Sequence, residues 1–224
     1  MTLLSNPVAQ GKRLLLDAAL RLMARTHSLS SLGLRELARE AGLNPNTFYR
    51  HFQSVDELGL AIIAQIAGQL RQPLRELRRE AAQRPMEEVA DAPQLPGIDV
   101  RRGTHVCEVT VRLFFDFVEK NPDGFIVGMR ELYGASPVLR AALREVMDDF
   151  ARDMAEDIME FGLLKDLDVE TVLRVSSMIT RQLFQLAQDY LEQPEKCLAI
   201  RAEAQELILM LFVGATVLKG LGNA

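Results

Sequence analysis

Tryptophan is missing from the 224-residue chain, tyrosine occurs three times and cysteine twice. Cys107 and Cys197 are too few and too far apart for a disulfide framework, and read as free thiols of a reducing compartment. The three histidines, His27, His51 and His105, have no metal-ligand spacing. No Walker or dinucleotide glycine pattern is present, and no nucleophile stands in a recognised context. These absences leave an enzyme little support, and neither a metal nor a cofactor is expected. No charged-then-apolar pattern opens the chain, which argues against secretion. The longest apolar run, residues 207–218 (LILMLFVGATVL), has twelve residues and is too short to span a bilayer. It reads as a buried helix of a cytoplasmic protein with no membrane partner.

What is present is an ordinary balance of 48% hydrophobic and 25% charged residues, with the charge unevenly placed. Residues 1–55 hold seven Lys or Arg against three Asp or Glu, a net +4, so the remainder must carry −9 to reach the overall −5. A basic head on an acidic body orients a nucleic-acid binder, because only the head approaches phosphate.

The head contains GLRELAREAGLNPNTFYRHF, residues 33–52. Leu34, Leu37, Ala38 and Ala41 have helical spacing. Gly42 suits a helix C-terminus, while Asn44 and Pro45 supply an N-cap and first-turn proline for a second helix. Helix, tight turn and helix make a helix-turn-helix. On the second helix Phe48 and Phe52 point inward with Leu43, Asn46, Thr47 and Arg50 outward, and Tyr49 and His51 lie on the flanks. That distribution suits a major groove, with amide and guanidinium groups on base edges and flanking groups on phosphates. Arg13, Arg35, Asn44, Asn46, Thr47, Tyr49, Arg50 and His51 are the DNA-binding candidates. Lys12 and Arg13 open a helix over about 11–25, where a nearby phosphate or plain solvation would account for cations.

The segment LRELAREAGLNPNTFYRHFQSVDEL resembles the DNA-binding signature of TetR-family repressors. It matches at Leu37, Ala38, Ala41, Gly42, Thr47, Phe48, Tyr49, His51, Phe52, Ser54, Glu57 and Leu58. Gly33 replaces the usual Ser or Thr cap, and Val55 replaces a common phosphate-contacting Lys. The resemblance implies an all-α fold: a three-helix DNA-binding domain over 1–55 and a helical effector-binding and dimerisation domain over 56–224. It also implies a homodimer, formed by the last two helices of each subunit, on a palindromic operator.

Beyond the head, a helix over about 56–79 should kink or break at Pro73. Residues 84–103, rich in Pro and Gly, read as a lid or loop. The helix over about 104–120 is apolar on most of its circumference, so it either packs all round or leaves one side to a cavity. A short helix covers 124–133, where Arg130 stands at an exposed edge or at a pocket mouth. Longer helices follow over 137–161, 169–191 and 195–218, the last apolar enough to need a second subunit as cover.

The segments NPNTFYRHFQSVDELG and RELYGASPVLRAAL resemble the TetR subgroup that controls unsaturated fatty-acid synthesis and senses acyl thioesters. That implies a fatty acyl-CoA or similar ligand, with an acyl chain inside the body and its headgroup near Arg101, Arg102 and Arg130. Candidate ligand contacts are Phe114, Phe117, Val118, Phe125, Met129, Arg130, Phe150 and Met178. A hydrophobic drug or aromatic effector is the alternative.

Overall fold

The computed structural model describes residues 7–26, 29, 32–84 and 98–222. Among the described residues eight α-helices follow in order: α1 Pro7–Thr26, α2 Leu34–Glu40, α3 Val55–Gln83, α4 Val100–Lys120, α5 Pro122–Leu132, α6 Pro137–Phe161, α7 Val169–Glu192 and α8 Cys197–Gly222. Short 3-10 helices at Pro45–Arg50 and Pro194–Lys196 precede α3 and α8. Among the described residues there is no strand, only an isolated bridge between Ile98 and Leu164.

Several boundaries differ from expectation for local reasons. α3 runs unbroken through Pro73. The proline is exposed, so the carbonyl it leaves unpaired can meet water. Leu70 and Leu74, both buried, anchor the helix on either side of it. α4 starts at Val100, four residues early, because Asp99 caps it: Arg102 N donates to Asp99 Oδ1 at 3.1 Å. α1 begins at Pro7, since nothing between residues 7 and 11 breaks a helix. The segment after Asn44 is a six-residue 3-10 helix instead of an α-helix. Its bonds span three residues, Thr47 N to Asn44 O at 2.8 Å and His51 N to Phe48 O at 2.9 Å, the tighter form that short helices adopt. Of the expected 84–103 loop, residues 85–97 lie outside the described residues.

The chain divides into two compact units. Met1–Gly68 with Asn121–Glu145 form the first, and Gln69–Lys120 with Val146–Ala224 form the second. The division expected at residue 55 follows the helix-turn-helix alone; these units also place α5 and the start of α6 with the head.

In the first unit α1, α2, the 3-10 helix and the start of α3 enclose Leu15, Leu22, Leu37, Phe48, Phe52 and Leu58, joined by Val127 of α5 and Leu139 of α6. Burying Phe48 and Phe52 contributes about 1.5–3 kcal/mol each. α2 ends in a Schellman motif: Gly42 takes φ 66°, Gly42 N donates to Arg39 O and Leu43 N to Ala38 O. Ser54 and Glu57 cap α3, as Glu57 N donates to Ser54 Oγ at 3.1 Å and Glu57 Oε2 accepts from Gln53 N at 2.6 Å.

In the second unit α4 is interior, with Val106, Val109, Val111, Phe114, Phe115 and Val118 all buried, and it packs with α7 and α8. Arg201 of α8 lies 5.3 Å from the Tyr190 ring centroid and donates to Asp116 Oδ1 at 2.7 Å. α8 nonetheless exposes Leu198, Met210, Val217, Leu218 and Leu221. Although its apolar run has twelve residues, the stretch Pro194–Leu221 is long and apolar enough by length and composition to cross a membrane, with 22% of its apolar window buried.

Candidate nucleic-acid interface and effector cavity

The first unit presents its polar groups on one short platform. Asn44 caps the 3-10 helix, its Oδ1 accepting from Asn46 N at 2.9 Å, so this side chain already holds the backbone that carries its neighbours. Asn46, Tyr49 and Arg50 are exposed and Thr47 is half-buried. Tyr49 stands with 66% of its surface free, its ring edge-on to the buried Phe48 at 5.4 Å. The core thus positions a phenol that reaches outward. Arg13 and Arg35 are exposed, Arg13 lying 3.8 Å from Asp17, a separation at which an exposed pair contributes little.

His51 is half-buried and packs on α1. A Cβ built on Gly11 would stand 2.9 Å from His51 Nε2, so the glycine permits the contact. Lys12 places its ammonium 5.5 Å from the centroid of the Phe52 ring, and Arg21 Nε donates to Glu40 Oε1 at 3.1 Å. Amide, phenol and guanidinium groups on a rigid platform suit base edges and phosphates.

α5 packs on α1 of the same unit. Arg130 Nη1 donates to Ala24 O at 3.0 Å and Met23 O at 3.4 Å, satisfying carbonyls at the end of α1 that no helical N–H reaches. Glu131, buried, accepts from Leu29 N at 2.7 Å.

The second unit holds a graded set of hollows. A basic recess of about 340 Å³ is lined by Arg84, Arg101 and Arg102 with Ala82, Gln83 and Asp99. Arg102 is committed to structure, its Nε donating to Asp99 Oδ2 and its Nη1 to Ala82 O and Phe161 O. Next along α4 comes an apolar cavity of about 90 Å³, walled by Ile98, Val100, Gly103, Val106, Met154, Ile158, Leu163 and Phe212 among others. Arg78, Thr110 and Met154 are shared with an inner recess of about 20 Å³, which Leu74, Phe114, Phe150, Thr180 and Phe184 complete.

Arg78 is the charge in this interior. Its Nε and Nη2 meet Asp157 Oδ2 at 2.7 Å and 2.6 Å. Burial holds its pKa below the ordinary arginine range, with Asp157 opposing the shift. Asp157 Oδ1 lies 3.2 Å from Arg75 Nη2, an ion pair without hydrogen-bonding geometry. Burial also pushes the Cys107 thiol, on the wall of the apolar cavity, up to about 12.

Of the expected ligand contacts, Phe114 and Phe150 line the inner recess. Phe125, Met129 and Arg130 belong to the first unit and line none of the three hollows. Phe117 and Val118 lie on α4, and Met178 is exposed on α7; none of these three lines a hollow either. Sequence reasoning missed Arg78 and Asp157, although Arg71, Arg75 and Arg78 with Asp149, Asp153 and Asp157 form two complementary stripes at helical spacing.

Residues 15–62 match the family model described as bacterial regulatory proteins, tetR family. The fold is shared with FadR of Bacillus halodurans, a fatty acid degradation regulator, at 17% identity and TM-score 0.66, over 90% of this chain and 94% of that one. FadR of Bacillus subtilis, solved in complex with stearoyl-CoA, matches at 14% identity and TM-score 0.62, over 90% and 98%. A transcriptional regulator from Aquifex aeolicus matches at 16% identity and TM-score 0.62, over 90% and 99%.

Proposed function

We propose that this chain, a transcriptional regulator with a TetR-family amino-terminal domain over residues 15–62 and the TetR fold around it, is a homodimeric repressor whose operator affinity responds to fatty acyl thioesters. The observation that carries the effector class is the sequence of hollows in the second unit. A recess lined by Arg84, Arg101 and Arg102 suits phosphates of a coenzyme A headgroup. The neighbouring apolar cavity, begun by Ile98, Val100 and Gly103 from the same stretch of chain, suits a hydrocarbon chain. The stearoyl-CoA complex of the Bacillus subtilis neighbour supports the same class.

On the DNA side, Asn46, Thr47, Tyr49 and Arg50 read base edges and phosphates, with Arg13 and Arg35 as backbone contacts. Two copies engage a palindrome. The exposed apolar side chains of α8, with Val169, Leu173 and Met178 of α7, support pairing through these two helices. Arg201 of α8, bonded to Asp116 and Tyr190, favours a protein partner over lipid for this helix, and the proposed DNA ligand supports a cytoplasmic location. The resemblance of 44–59 and 130–143 to regulators of unsaturated fatty-acid synthesis points to those genes as targets.

A ligand shifts DNA affinity only through differential contacts with the two states. Fluorescence anisotropy on a duplex selected from a random pool tests the reading. Oleoyl-CoA or palmitoyl-CoA should shift the operator Kd by about fivefold or more, within the usual coupling range, and free coenzyme A should not. If acyl-CoAs from lauroyl to stearoyl leave the Kd unchanged, the effector assignment fails.

A further inference from the structure

We infer that the inner end of the cavity is built to receive an oxygen atom, so that the preferred effector carries a hydroxyl or keto group on its chain. The inference rests on the acyl-thioester reading and narrows it. Thr180 is 3% exposed, and its Oγ1 has no hydrogen-bond partner among the described residues. A hydroxyl left so carries the cost of its desolvation unrepaid, and a ligand that satisfies it recovers that cost.

Thr180 is not packed away from the hollows but lines the inner recess. That recess, about 20 Å³, has room for about one water-sized group. Around it stand Leu74, Phe114, Phe150 and Phe184, which offer no competing partner, and the aromatic rings press on one another at 5.8–6.0 Å. Thr110 already donates its hydroxyl to Val106 O at 2.6 Å, which leaves Thr180 as the hydroxyl donor to an incoming oxygen.

The oxygen must be neutral. Arg78, the cation on this wall, is matched by Asp157, which is 1% exposed. A carboxylate at the chain end would therefore meet a buried like charge and no unspent cation. A hydroxyl or ketone accepts from Thr180 without that penalty.

Isothermal titration of the full-length protein with lauroyl-CoA and a set of lauroyl-CoA derivatives hydroxylated at successive carbons tests this. The wild type should bind at least one hydroxylated chain about tenfold more tightly than lauroyl-CoA. Thr180→Val should erase that preference, while Thr180→Ser should keep it. Thr180→Ala makes the same comparison if the valine variant does not fold. Equal or weaker binding of every hydroxylated chain, or a preference that survives Thr180→Val, overturns the inference while lauroyl-CoA binding still stands. Absence of binding by any acyl-CoA overturns both this inference and the function on which it rests.

Discussion

Arg78 of α3 donates from Nε to Asp157 Oδ2 of α6 at 2.7 Å, with 4% and 1% of the two residues exposed. The pair closes a ladder in which Arg71 holds Asp149 and Asp153, and Arg75 holds Asp153, Glu156 and Asp157. Asp153 hydrogen bonding raises the Arg71 pKa, and the carboxylates raise that of Arg75 against desolvation. The ladder fastens the second half of α3, the helix that begins in the first unit, to α6.

Breaking only one side of the buried pair leaves an uncompensated charge. Asp157→Leu should therefore destabilise the protein by about 3–5 kcal/mol, and Arg78→Met with Asp157→Leu should recover most of that loss. Urea denaturation of the two variants checks this; equal stability of single and double variants would refute it.

Cys107 supplies a pH dependence. Its thiol is held at about 12 in the fold, against roughly 8.5 in an unfolded chain. The folded value is raised, so the contribution is intact below the unfolded pKa and is lost as pH climbs toward the folded one. Between these limits the native state keeps a proton that the unfolded state has released. Stability should fall by about 1.4 kcal/mol per pH unit above pH ~9 from this group. Cys107→Ala should remove that component, seen as a shallower alkaline slope in denaturation midpoints.

Asn44 and Arg50 should separate support from contact. Asn44→Ala removes the cap on the 3-10 helix and should cost about 1 kcal/mol of stability, with Asn44→Asp largely restoring it. Arg50→Ala should leave the fold intact and, as a base-edge contact, weaken operator binding by about 1–3 kcal/mol with little change in the log-log salt slope. A slope reduced by about 0.9 would place Arg50 on phosphate instead.

Arg130 and Arg101 offer a contrast. Arg130 is spent on the carbonyls of Met23 and Ala24, so Arg130→Ala should lower the melting temperature of the protein and leave acyl-CoA affinity within about twofold. Arg101 lines the basic recess. Arg101→Ala should weaken acyl-CoA binding by about 1.5–3 kcal/mol, the value of a charge-assisted bond. Calorimetry against denaturation distinguishes the two.

The helix-turn-helix was legible because its signals are local. Gly42 takes the positive φ that an L side chain resists, Asn44 caps the segment that Pro45 opens, and Phe48 and Phe52 are buried one turn apart. The helical body was legible from the same spacing rules, and Asn121, Pro137 and Gly162 mark ends where the structure also places them. Asp99 as the cap of α4 was hidden, since the Pro- and Gly-rich run before it drew the boundary later.

What the sequence by itself determined is which residues turn inward on each helix and where the basic head lies, because periodicity and charge are properties of neighbouring residues. Tertiary structure decided that Arg130 clasps α1, that Arg78 meets Asp157 beside the cavity, and that the Thr180 hydroxyl on its inner wall finds no partner among the described residues. Those facts depend on which helix face meets which, and an i, i+4 pattern names a face without naming what packs against it.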